Sequence, residues 1–200
     1  MRELTFRAVA ATSAVAVVLL AGGCGALGMG SHPAAPAAAG ARSGVSGAGS
    51  HIYSLIQTGI TQAEKSDTAG AVKTFNSVLA LEPDNKYAWF NLGVILQGQA
   101  DTAGALDDYN RALQTDPTFL SALYNKALLI ENSDPEQAEK LYRQAISLNP
   151  HASTAYLHLG LLLQKKNSPD AAGAFAKAVS LDSNLAQYVP AGAAAAKPAG

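Results

Sequence analysis

One spacing constrains this chain more than any other feature: between residues 52 and 184 a pattern of large and small apolar residues returns about every thirty-four positions. The clearest copy runs from Lys86 to Phe119 and holds Trp89, Leu92, Gly93, Leu96, Ala105, Tyr109, Ala112 and Pro117. One period earlier the places read Leu55, Thr58, Gly59, Gln62, Ala71, Phe75, Val78 and Pro83. Later copies give Leu123, Ala127, Ile130, Ala138, Tyr142, Ala145 and Pro150, then Tyr156, Leu159, Gly160, Leu163, Ala171, Phe175 and Ala178. Apolar places three and four apart predict helices, and a long-period repeat predicts a stack in which each unit buries its apolar face against its neighbours.

Within a unit the small residues carry the packing argument. Gly59, Gly93, Ala127 and Gly160 on the first helices are expected to meet Ala71, Ala105, Ala138 and Ala171 on the second, because larger side chains would hold the two helices apart. Phe75, Tyr109, Tyr142 and Phe175 then fill the space between layers. Pro83, Pro117 and Pro150 restrict the residue before them and end the second helices; Ser183 takes that place in the fourth unit. The turns of the first two units read Asp67-Thr68 and Asp101-Thr102, with capping side chains. The last two units are one residue shorter there, and Asp134-Pro135 and Ser168-Pro169 each set a capping residue before a proline at the first helical position.

The run Trp89-x-x-Leu92-Gly93-x-x-Leu96, followed by Ala105-x-x-x-Tyr109-x-x-Ala112 and Pro117, resembles the tetratricopeptide repeat (TPR) signature, with Leu96 in place of the usual tyrosine. The resemblance covers Ile52 to Val189. It implies an all-α fold, a right-handed superhelical solenoid of four TPR helix-turn-helix repeats at about 52–85, 86–119, 120–152 and 153–184, with a short C-terminal cap at 185–189. A tail from 190 to 200 follows, rich in alanine and glycine and expected to be disordered.

The same resemblance implies a concave groove lined by the first helices. Its places fall on Tyr53 and Ile56, on Tyr87, Phe90, Asn91, Val94 and Gln97, on Tyr124, Asn125, Leu128 and Glu131, and on Leu157, His158 and Leu161. Asn91 and Asn125 stand in equivalent places, where an amide can both give and accept hydrogen bonds with an extended peptide backbone. The basic clamp by which some members of the family hold a C-terminal carboxylate is missing: Ile56, Ile60, Val94 and Leu128 stand where basic residues would be wanted. An extended or amphipathic protein segment is the expected ligand.

The N-terminus reads as an address. Arg2 and Arg7 precede an uncharged apolar run, Ala8 to Ala21, too short for a membrane span and laid out like a secretory signal peptide over 1–23. Leu20-Ala21-Gly22-Gly23-Cys24 resembles the lipobox of bacterial lipoproteins, which implies acylation of Cys24, with palmitate among its acyl chains, and anchorage to the cell membrane on its extracytoplasmic side. Two acyl chains suffice for stable anchoring where one does not. Residues 24–50 then form a tether of Ala, Gly, Ser and Pro that buries too little to fold, with a span of roughly 28 Å.

Composition narrows the function. Fourteen Lys plus Arg against fifteen Asp plus Glu, with no basic stripe, make nucleic acid an unexpected partner. The lone Cys24 rules out an intramolecular disulfide and the paired-cysteine spacing of zinc sites. No nucleophile, base and acid grouping, phosphate loop or metal-ligand spacing is present, so no enzyme activity, cofactor or metal is expected. The expectation is a membrane-anchored scaffold or adaptor of the bacterial envelope. A structural protein that self-assembles through the ends of its stack, exposing Tyr188 and Val189 for pairing, is the alternative and would make it a homo-oligomer.

Overall fold

The computed structural model describes residues 46–193. The expected signal segment, Cys24, the tether up to residue 45 and the tail from 194 onward lie outside the described residues. Eight α-helices follow in order: α1 (Ser46–Glu64), α2 (Thr68–Leu81), α3 (Lys86–Gly98), α4 (Thr102–Thr115), α5 (Leu120–Ile130), α6 (Pro135–Leu148), α7 (Ser153–Lys165) and α8 (Asp170–Leu181). A 3-10 helix, Ser183–Tyr188, closes the stack. Among the described residues there is no strand. Helix α1 begins at Ser46, so residues 46–50 of the expected tether belong to the first helix.

Each odd helix pairs with the even helix after it, and each even helix packs on the next odd one. Contacts of α1 with α3 and of α3 with α5 run along one side, so the odd helices share a face of a helical repeat solenoid. The apolar interior is continuous in kind from Ile52 and Phe75 at one end to Phe175 and Leu185 at the other.

The small residues act differently from their expected role. A Cβ on Gly59 would stand 2.8 Å from the Phe75 ring, one on Gly93 2.8 Å from the Tyr109 ring, and one on Gly160 2.7 Å from the Phe175 ring. The glycines therefore make room for the aromatic ring of the partner helix, with the backbone of Ala105 as a further neighbour of Gly93 at 3.2 Å. Ala71, Ala105 and Ala138 are fully buried, and Ala171 is nearly so.

The helix ends follow short-range rules. Asp67, Asp101 and Asp134 cap α2, α4 and α6, each accepting at 3.0 Å from the N–H three residues on. Pro135 takes the first helical position of α6 as expected, whereas α8 starts at Asp170, with the Ser168 hydroxyl accepting from its N–H at 3.3 Å. Ahead of α2, α4 and α8 the chain turns through left-handed residues, Ser66 (φ 62), Ala100 (φ 63) and Asn167 (φ 53). In each case that N–H bonds three residues back and the next N–H five back, as from Ala100 to Gln97 and Asp101 to Leu96.

The even helices stop at Glu82, Asp116, Asn149 and Asp182, the last three with extended backbone. The first three precede proline. Asp182 does not, yet its side chain accepts from Asn184 N–H at 3.0 Å, as Asp116 does from Thr118 and Asn149 from His151. This local side-chain turn fixes the exit from α8 without the ring.

Candidate protein-binding groove

Along the shared face of the odd helices, the expected groove residues divide by depth. Tyr53 and Tyr87 are the exposed members, at 64% and 43%. Gln97, Tyr124, Leu128, Glu131, His158 and Leu161 are half-buried. Ile56, Phe90, Asn91, Val94, Asn125 and Leu157 are buried and form the floor beneath that surface. Helix pitch alone does not account for this: Asn91 and Val94 stand four and seven residues after exposed Tyr87, on the same side of α3, yet are buried, so packing against the neighbouring helices sets the depth.

Asn91 is the clearest correction. Its amide nitrogen donates to the Tyr87 carbonyl at 2.8 Å, one turn back in its own helix, and its Oδ1 is buried with no protein partner. At 1% exposure it does not present a donor and an acceptor to an extended peptide. Phe90 packs against Tyr109 and Phe119, with ring centroids 5.9 and 5.3 Å apart, and belongs to the core of its unit.

At the edge of the second unit Lys86 Nζ lies 2.5 Å from Asp116 Oδ2 and 5.1 and 5.2 Å from the ring centres of Tyr87 and Phe119. The Lys86 hydrogen bond, together with those from Thr118, holds the Asp116 carboxyl down at about 2. Trp89 fastens the preceding turn, its indole N–H donating to the Pro83 carbonyl at 2.7 Å while the Arg111 guanidinium sits 4.6 Å from its ring centre.

The third and fourth units bring together a group that the sequence showed as separate residues. Tyr142 in α6 donates its hydroxyl to Glu131 Oε2 at 3.1 Å, and His158 Nδ1 lies 3.4 Å from the same oxygen. The His158 ring stacks on Tyr142 at 5.8 Å and meets Tyr124 edge-on at 5.7 Å. Burial pushes Glu131 up, but hydrogen bonds from His158 and Tyr142 and the charge of Lys165 outweigh it, so the carboxyl stays below its ordinary range and ionised at neutral pH. Burial pushes the Tyr124 hydroxyl up to about 12, and the Tyr142 hydroxyl is driven higher still. The phenols therefore remain donors.

A matching bond joins Tyr109 to Gln97 Oε1 at 2.5 Å in the second unit. The end units have Phe75 and Phe175 at that place, with no hydroxyl to satisfy, and the place that would supply the acceptor holds Ala63 and Gln164. The signal for these pairs is present in the sequence, since a tyrosine buried between helices needs a partner for its hydroxyl. Among the described residues no cluster of metal-ligating side chains occurs, and no helix is long and apolar enough to cross a membrane.

Residues 87–119 match a tetratricopeptide repeat family model, and residues 128–186 match a second model also described as tetratricopeptide repeat. Neither is a catalytic family. No curated protein matches the sequence. Among solved structures, a crystal structure of MamA superposes with a TM-score of 0.60 at 21% identity, over 72% of this chain and 85% of that one. MamA from Desulfovibrio magneticus RS-1 gives 0.57 at 26% identity, over 66% and 76%. The pilF protein of Pseudomonas aeruginosa gives 0.63 at 24% identity, over 69% of this chain and 64% of that one. At these identities the likeness speaks for the fold. The family matches, the glycine-to-aromatic packing and the solenoid together lead to one conclusion: residues 87–119 and 128–186 carry tetratricopeptide repeats.

Proposed function

We propose that this chain is a lipoprotein anchored through Cys24 on the extracytoplasmic side of a bacterial membrane, where its repeats hold an extended or amphipathic protein segment as a scaffold or adaptor. Tetratricopeptide repeats serve protein–protein interaction, which gives the class of function. The observation that carries the groove reading is the strip of half-buried Tyr124, Leu128 and Leu161 on α5 and α7, apolar surface kept beside a polar cluster. The anchor reading rests on the Leu20-to-Cys24 sequence.

Cross-linking in the native envelope tests both parts. A partner should be captured by the wild type and lost from Leu128→Arg, and growth with labelled palmitate should label the wild type and leave Cys24→Ala unlabelled. A partner retained at full yield by Leu128→Arg would sink the groove reading, and label surviving in Cys24→Ala would sink the anchor. Self-assembly through the stack ends is a second reading, favoured by the 58% exposure of Tyr188 on the closing 3-10 helix. Light scattering separates the two, because end-to-end pairing makes the molar mass rise with concentration.

A further inference from the structure

The groove carries an uneven charge. Most of its lining is uncharged, but Glu131 lies immediately beyond the last residue of α5, where the helix's own carbonyl end is negative. Neither α3 nor α5 has a basic residue in its last turn, so neither supplies a cation to offset that end. Glu131 Oε2 takes both the Tyr142 hydroxyl and His158 Nδ1, while Oε1 accepts no hydrogen bond among the described residues. The side chain keeps 20% of its surface open and is held in place by two neighbours. The opposing charges nearby are His158 when protonated, which lies on Oε2, and Lys165, whose ammonium is engaged with Asn132 Oδ1 at 3.1 Å. Beside the carboxylate the half-buried Tyr124 ring meets His158 edge-on.

We infer that the protein segment taken by the groove is one with a lysine or arginine at the middle of its footprint, its cation on the free oxygen of Glu131 and its stem along Tyr124. The inference rests on the groove reading above and adds the partner's chemistry to it. A carboxylate that is ionised, immobilised and short of one partner gains most from a cation, and an aromatic face beside it suits the apolar stem of a long basic side chain. An acidic segment would meet the carboxylate and the negative end of α5 together, and would be rejected.

The test is selection of random peptides against the detergent-solubilised full chain, counting as groove ligands the peptides that Leu128→Arg fails to bind. Those peptides should share a lysine or arginine at one register position. A selected peptide should bind Glu131→Gln about tenfold more weakly than wild type, and its norleucine analogue should bind both proteins alike. The glutamine keeps an acceptor for Tyr142, and an unchanged melting temperature verifies that the fold is intact. Groove ligands without a shared basic residue, or ligands that bind Glu131→Gln as tightly as wild type, would overturn the inference while leaving the groove standing. Recovery of no peptide that depends on Leu128 would overturn the groove reading itself.

Discussion

Asp108 and Asp116 lie in the same unit and respond to the fold in opposite directions. Burial lifts the Asp108 carboxyl to about 6, with Asp107 and Asp101 adding repulsion that Arg111 offsets in part. Its folded pKa is above the unfolded one, so the stability it contributes is present below about pH 4 and is lost as pH rises through 6. Asp108→Asn should therefore raise stability at pH 7 by about 1 kcal/mol after allowance for solvent screening, and the gain should vanish at pH 4. Chemical denaturation at the two pH values measures this directly. Asp116 runs the other way: its carboxyl is held at about 2, so its contribution is intact above pH 4 and fades toward pH 2. Neither sign is written in the sequence; the depth of the place within the packed unit and the partners it meets there decide it.

At the scale of the element, the turns inside the units are where local chemistry and tertiary demand diverge. Ala100 occupies a left-handed conformation at the end of α3, an arrangement that glycine adopts without strain. Ala100→Gly should stabilise the protein by about 0.5 kcal/mol, the relief of strain exceeding the added freedom of the unfolded chain; a lowered melting temperature would contradict this.

The helices and their stops were legible in advance because Gly93, Tyr109, Pro83, Pro117 and Pro150 each act through sterics that one sequence displays. The shortened turns were legible in number and not in place. The third unit loses its residue from the turn itself, which has no left-handed residue, and Asp134 still stands four before Ala138. The fourth keeps left-handed Asn167 and loses the residue from the first turn of α8, where Ser168 stands three before Ala171. Both solutions satisfy the same spacing, so spacing could not choose between them. The depth of Phe90, Asn91 and Leu157 was half legible for a similar reason: a repeat position fixes which side of the helix they occupy, but how far neighbouring helices cover them depends on packing.

For the whole molecule, stability is distributed as in any linear array, through each unit and its contact with the next. The closing 3-10 helix contributes one buried side chain, Leu185, to the apolar cluster shared by α5 through α8. Leu185→Ala should cost about 2 kcal/mol, and hydrogen exchange should quicken first in α7 and α8, sparing α1 to α4. Uniform quickening along the chain would show a single cooperative block in place of graded units.

An array of repeats ordinarily lets the surface that chooses a ligand drift while the interior that keeps the shape stays fixed. Glu131 Oε2 denies the third unit that freedom, because one oxygen answers to the Tyr142 hydroxyl inside and to His158 outside. Replacing the acid by a side chain that cannot accept a hydrogen bond strands a buried phenol, and replacing the phenol loosens the acid. A descendant with a different residue at this place would have to keep an acceptor for the phenol, as Gln97 does for Tyr109, or take the phenylalanine already used at 75 and 175.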